Sequence, residues 1–147
     1  MKFFIDCTVL TTHTQDAPLV TTFNIDTGLI THVGVFYPSG CHGRIYAKVF
    51  FQGHQILPRN QESWCHGNNG WSEEDSSIPV TDSPLKIRVV AWADDTDFDH
   101  VITVCVEVTP FPLAPVWDKV DYMINCLAEL LDFQPFTAQP VVEEVVE

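Results

Sequence analysis

Two dipeptides of this chain place a thiol next to an imidazole, Cys41-His42 and Cys65-His66, and each lies in a segment rich in glycine. Two thiols and two imidazoles could hold a metal ion tetrahedrally, and the two thiols could instead form a disulfide. A catalytic Cys–His pair normally comes from separate segments, because adjacent residues of an extended chain point apart. The sequence has no C-x-x-C spacing, so we expect free thiols in a reducing compartment.

The other polar clusters have the composition of known sites without their spacing. The acidic run Asp94–Asp99 lacks the central glycine and closing glutamate of a calcium loop, and we expect a solvated turn there. The histidines form no H-x-H pair of a cupin-type metal site, and we expect His32 and His100 to lie half-buried in strands. No serine lies in a G-x-S-x-G elbow, and no phosphate-binding loop precedes a helix. We therefore expect no catalytic residue, no cofactor and no bound metal.

Three tryptophans, Trp64, Trp71 and Trp92, have the side chains that stack on sugar rings or fill protein interfaces. Trp92 ends a predicted strand and could cover the edge of the core. Trp64 and Trp71 fall in residues 59–77, which we predict to be one long irregular loop. Long loops of compact domains are usually functional or mobile. We expect Trp64 and Trp71 to bind a partner at one end of the domain.

Apolar residues recur at every second position over the first 108 residues, which is the period of a strand with one buried face. The pattern predicts about eight short strands separated by turn signals, at residues 3–10, 19–25, 29–37, 44–52, 54–57, 78–80, 85–92 and 99–108. Such a series is typical of a mainly β domain. We predict an antiparallel β-sandwich, jelly-roll-like, over residues 1–109.

The alternation also assigns side chains to faces. In the third strand we expect Leu29, Val33 and Val35 on one face and Ile30 on the other. Cys7, Cys105 and Cys126 fit the apolar patterns, and we expect them to be small core residues.

The hydrophobic period changes after Pro110, where three prolines in six positions predict a stiff linker. Apolar residues then recur every three to four positions, which predicts one C-terminal amphipathic helix over residues 116–131. The acidic segment Val141–Glu147 predicts an extended tail. We expect residues 110–147 to be an assembly arm, and the alternative is that its helix packs on its own domain. The residues expected to bind a partner are Val116, Val120, Ile124, Leu127 and Leu131.

Composition and charge restrict the classes of partner. The chain has 147 residues, is 46% hydrophobic and carries a net charge of −13, with seven Lys and Arg against twenty Asp and Glu. Clustered cations are needed to bind a nucleic-acid backbone or an anionic membrane, and we expect neither partner. Asp6 interrupts the first apolar run, so we expect no signal peptide and synthesis in the cytosol.

Three segments together carry a resemblance to a known class of protein. They are Gly28–Cys41 (GLITHVGVFYPSGC), Gln55–Pro58 (QILP), and Ala91-Trp92 followed by Phe98–Val104 (FDHVITV). Over about residues 19–110 the chain resembles small β-sandwich proteins encoded in the structural gene clusters of tailed bacteriophages. The arm after Pro110 lies outside the resemblance.

The resemblance implies a non-enzymatic virion structural protein, a capsid decoration or head-associated protein. Such a protein would be made in the host cytoplasm and bind capsid protein or copies of itself, as a homo-oligomer such as a trimer. Two alternatives stay open: a carbohydrate-binding β-sandwich module that uses the loop tryptophans Trp64 and Trp71, and a small metal-dependent enzyme.

Overall fold

The computed structural model describes residues 1–82 and 84–111 of the chain. This part is mainly β, and its strands are joined by turns and loops without a helix. The strands are β1 (Lys2–Val9), β2 (Leu19–Asn24), β3 (Gly28–Tyr37), β4 (Ile45–Phe51), β5 (His54–Leu57), β6 (Cys65–His66), β7 (Gly70–Val80), β8 (Lys86–Ala93) and β9 (His100–Thr109). In these two ranges the structure has no helix that is long and apolar enough to cross a membrane.

The strands form two antiparallel sheets. The first sheet has four strands in the order β1-β9-β3-β7, and the second has the order β2-β8-β4-β5, with β6 also paired to β4. Most neighbours within a sheet are distant in sequence, as in the β1–β9 pair, where Lys2 lies opposite Glu107. Residues Met1–Phe111 make one compact unit.

The inward side chains of both sheets form a single hydrophobic core. On β4, Ile45, Ala47, Val49 and Phe51 are buried and the residues between them are not, as the sequence alternation predicts. Every fully buried side chain of the described residues belongs to the apolar class, with Tyr37 the largest. Removal of this apolar surface from water is what holds the two sheets together.

The prediction of one irregular loop over residues 59–77 is wrong at Cys65–His66, which form the short strand β6, and again from Gly70 onward, where β7 begins. Exposure alternates regularly along β7, with Trp71, Glu73 and Asp75 exposed. Ser72 and Glu74, which lie between these three residues, are polar too. Polar side chains are tolerated there because β7 is an edge strand and lies outside the centre of the core. The strand therefore lacks the apolar alternation by which the other strands are recognised.

The face assignment of Ile30 is also wrong. The pairing of β3 with both neighbours shifts between Ile30 and His32, which is a β-bulge at Thr31. One extra residue changes the phase of the alternation, so Ile30 lies in the core together with Val33 and Val35. Leu29 is only partly buried and does not join the core.

The predicted helix over residues 116–131 and the acidic tail 141–147 lie outside the described residues, as does Cys126. The same holds for the five side chains expected to bind a partner there, Val116, Val120, Ile124, Leu127 and Leu131.

Candidate functional site

A cavity of about 530 Å³ opens where the β3–β4 loop meets the β8–β9 loop. The β3–β4 loop contributes residues 39–42 and Arg44, the β8–β9 loop contributes residues 95–98, and His100 stands at the start of β9. These are the residues of the Cys41-His42 dipeptide and of the acidic run. The fold thus joins two polar segments that are more than fifty positions apart in sequence.

Asn68 fixes the β3–β4 loop from the side. Its Oδ1 atom accepts hydrogen bonds from the backbone N–H of Gly40 at 3.0 Å and of His42 at 3.2 Å. His42 has a φ of 47°, in the left-handed region that non-glycine residues seldom adopt. The two hydrogen bonds to Asn68 help to hold this conformation in place.

Arg44 ties the acidic run to the second sheet. Its guanidinium lies 3.4 Å from the Asp95 carboxylate and also donates to the Asp95 carbonyl oxygen. The backbone N–H of Asp94 donates to the Arg44 carbonyl at 2.8 Å. Within residues 1–82 and 84–111 no three His, Cys, Asp or Glu side chains are grouped so that they could hold a metal ion. The acidic run is therefore a turn held in place by Arg44, and Phe98 near its C-terminal end is exposed.

The two thiols next to histidine belong to the buried core, and Cys41 also lines the cavity. Cys41 and Cys65 are both buried free thiols, and burial raises the pKa of each. They lie close to the buried Tyr37, whose pKa is raised first by burial and then by these two groups. A buried thiol that stays protonated is a poor nucleophile.

The imidazoles of the two dipeptides point to different places. His42 lines the cavity, whereas the ring of His66 packs on Tyr46 with centroids 5.5 Å apart. A tetrahedral Cys2His2 site is therefore not assembled. His32 and His100 are half-buried, as predicted.

The outer side of the second sheet carries an aromatic cluster. Tyr46 and Trp92 stack with their ring centroids 4.4 Å apart, and Trp64 meets Trp92 edge-on at 5.9 Å. The ammonium of Lys48 lies 4.6 Å from the centre of the Trp64 ring. The rings of this cluster therefore pack against each other, against His66 and against Lys48.

We call the outward positions of β2, β8 and β4 the basic face. Lys48, Lys86 and Arg88 belong to it, and the guanidinium of Arg88 lies 4.5 Å from the centre of the Phe50 ring. The described residues of these three strands place no Asp or Glu on this face. Its members are Val20, Thr22, Asn24, Tyr46, Lys48, Phe50, Lys86, Arg88, Val90 and Trp92.

We call the outward positions of the first sheet the acidic face. Its apolar members include Phe4 and Trp71, which are 61% and 46% exposed, and Val101, which is 46% exposed. A shallow cleft of about 200 Å³ lies between Phe4 and Trp71. The face includes Lys2, Phe4, Asp6, Thr8, His32, Gly34, Phe36, Trp71, Glu73, Asp75, Ser77, Pro79, Val101, Thr103, Cys105 and Glu107.

Charged groups on the acidic face are held close together. His32 lies between two carboxylates, 3.4 Å from Glu73 and 3.0 Å from Asp75. Lys2 pairs with Glu107 at 3.3 Å. Cys105, expected in the core, is buried at the floor of the cleft on this outer side, because it pairs with Phe4 on one strand and with Gly34 on the other.

The structure separates the two tryptophans that the sequence places in one loop. Trp64 lies on the outer side of the second sheet and Trp71 on that of the first, where its ring centroid is 5.3 Å from that of Phe36. The two side chains therefore form no common site. Sequence reasoning did not single out Phe4, Phe36 or Tyr46, although each occupies an outward position in a strand that it located correctly.

Comparison with models of known protein families and with curated proteins finds no match to this chain.

Proposed function

We propose that this protein is a non-enzymatic structural protein of a virion, a capsid decoration or head-associated protein that binds capsid protein and copies of itself. The observation that carries the proposal is the exposure of Phe4, Trp71 and Val101 on one outer face of a compact β unit. Large apolar side chains gathered on one side of a domain usually mark a surface that binds another protein.

The strand order supports a fold suited to this role. Without the two-residue strand β6, the two sheets run 1-8-3-6 and 2-7-4-5 in chain order. We propose that they form an antiparallel β-sandwich of the jelly-roll kind, a fold used by viral capsid proteins as well as by lectins and cupins. Because one fold can serve many functions, the strand order supports the proposal by analogy with capsid proteins of the same architecture.

The environment of the nucleophilic groups supports a non-enzymatic function. Cys41 and Cys65 are buried, and the pKa of each thiol is raised by burial. The alternative of a carbohydrate-binding module has less support, because Trp64 and Trp71 lie on different sheets. A metal-dependent enzyme also has less support, because no suitable group of ligands occurs among the residues that the structure describes.

The C-terminal arm contributes to the proposal from its sequence. Burial of an apolar side chain of the size of Leu or Ile stabilises an interface by roughly 1.5–3 kcal/mol before ordering costs. We propose that Val116, Val120, Ile124, Leu127 and Leu131 bind a neighbouring subunit in the particle.

The test is co-sedimentation of the purified chain with capsids assembled from the major capsid protein of the same genome. We expect the chain to sediment with the capsids at a fixed stoichiometry. The double variant Phe4→Ser/Trp71→Ser should bind at least about tenfold more weakly, as loss of interface anchors usually does. Phe98→Ser is the matched control, because Phe98 is 73% exposed but lies on neither face. Absence of binding by the unaltered chain would refute the proposal.

A further inference from the structure

The two outer faces of this protein carry opposite charge. The basic face holds Lys48, Lys86 and Arg88 and, among the described positions, no carboxylate. The acidic face holds four carboxylates, Asp6, Glu73, Asp75 and Glu107, and the single cation Lys2. In a chain with a net charge of −13, three of the seven Lys and Arg residues lie together on the basic face.

The cations of the basic face are available to a partner. In the described part of the chain, Lys48, Lys86 and Arg88 make no salt bridge. The ammonium of Lys48 lies over the Trp64 ring and donates to the Gln61 carbonyl. On the acidic face, Glu73 and Asp75 are 54% and 94% exposed at their side chains. Both sets of charges therefore face solvent beside exposed apolar groups, Val20 on one side and Trp71 on the other.

We infer that the basic face of one copy binds the acidic face of a second copy, in a head-to-tail contact between identical chains. The inference rests on the proposed function, in which copies of the protein bind each other. Opposite charges on two surfaces that also expose apolar groups favour a specific contact between them. Here the two oppositely charged surfaces occur on the same molecule.

The basic face limits the size of such a contact. Its three strands, spaced by about 4.8 Å and with roughly seven residues each at about 3.3 Å per residue, cover about 330 Å². A contact over this whole face buries roughly 700 Å² in total, which is in the size range of weak, transient interfaces. Because different surfaces of the two copies meet, the contact leaves one free face at each end and can extend to a ring or a filament.

Sedimentation velocity of the full chain over a range of concentrations tests the inference with two charge-reversal variants. Lys86→Glu/Arg88→Glu makes both faces acidic, and Glu73→Lys/Asp75→Lys makes both basic. We expect each variant alone to weaken self-association by at least about tenfold, since like charges then oppose each other. An equimolar mixture should associate again to within about threefold of the unaltered chain, because acidic faces meet basic ones once more.

The mixture separates the head-to-tail contact from the other possibilities. If identical faces paired with each other, one of the two variants would retain full association. If the C-terminal arm alone drove assembly, both variants would associate like the unaltered chain, and either result would overturn the inference. The control is Asp16→Lys/Asp26→Lys. It changes the net charge by as much as Glu73→Lys/Asp75→Lys does, but Asp16 and Asp26 are exposed residues between strands and belong to neither face. Circular dichroism spectra and melting temperatures like those of the unaltered chain show that the variants fold.

The proposed virion function and this contact fail in different experiments. If the unaltered chain sediments with capsids as a monomer and the charge reversals do not change its self-association, the head-to-tail contact is overturned and the virion function stands. Self-association that responds to the reversals, without any capsid binding, would do the opposite.

Discussion

The indole of Trp71 lies over the backbone of Gly34 on the adjacent strand. A Cβ atom at Gly34 would stand 3.1 Å from Trp71 Cε3 and 3.2 Å from Glu73 Cβ. Glycine in the interior of a strand usually marks such a close approach. The absence of a side chain at Gly34 leaves room for the indole, whose ring is tilted by 52° against the ring of Phe36.

The first prediction concerns this contact. Gly34→Ala should destabilise the fold by about 1 kcal/mol, because the indole must shift from its position. In a Trp71→Ala background the same substitution should cost less than half as much, since the ring that it displaces is gone. Urea unfolding of the four proteins measures the coupling. Equal costs in both backgrounds would show that the indole does not lie over Gly34.

The strands could be predicted from sequence where one face of the strand lies in the core. On β4 and β8 the inward positions are all apolar, so the alternation is visible without any structure. At the edge strand β7 the inward positions Ser72, Glu74 and Ser76 are polar, and the signal disappears. Arg59 satisfies Glu74 there with an ion pair at 3.1 Å, which only the folded chain reveals.

The second prediction concerns Gly67. A Cβ atom at this position would stand 2.8 Å from Tyr37 Cδ2, and Tyr37 cannot yield because it is completely buried. Gly67→Ala should destabilise the fold by about 1–3 kcal/mol, as overpacking of a core does. Gly70→Ala is the control, since its nearest contact would be an ordinary 4.0 Å. Similar unfolding midpoints for the two variants would contradict the prediction.

The third prediction concerns stability at alkaline pH. Burial, and then the nearby Asp6 carboxylate, raises the pKa of Cys7 from 9.0 to about 11. The unfolded chain therefore loses the Cys7 proton at a lower pH than the folded chain does. The contribution of Cys7 to the free energy of unfolding is therefore fully present below pH 9. As the pH rises towards 11, this contribution falls by about 2 kcal/mol.

Urea unfolding at several pH values between 8 and 11 checks this. The unaltered chain should lose more stability over the range than Cys7→Ala, because the other buried thiols and Tyr37 contribute equally to both proteins. Parallel curves would show that Cys7 does not couple to the unfolding equilibrium.

The charged faces could be predicted only in part. The outward positions of β8 follow from its alternation, so Lys86 and Arg88 are assigned to one face by sequence alone. Their neighbours depend on the order β2-β8-β4, and that order results from pairings between distant segments. Local patterns carry no information on such pairings, which is why Trp64 and Trp71 looked like members of one site.

The last prediction concerns the support of the cavity. Asn68 Oδ1 accepts the N–H groups of both Gly40 and His42, so Asn68→Ala leaves two donors of the loop to water. Because the site is exposed, we expect a loss of only about 0.5–1.5 kcal/mol in global stability. The local effect should be larger: hydrogen exchange at the Gly40 and His42 amides should accelerate by about tenfold, since opening of a loop requires less free energy than unfolding of the core. Asn24→Ala, at an exposed strand position of the basic face, should leave both exchange rates unchanged. If exchange at His42 stays as slow in Asn68→Ala as in the unaltered chain, its left-handed conformation is held by the backbone of the loop and not by Asn68.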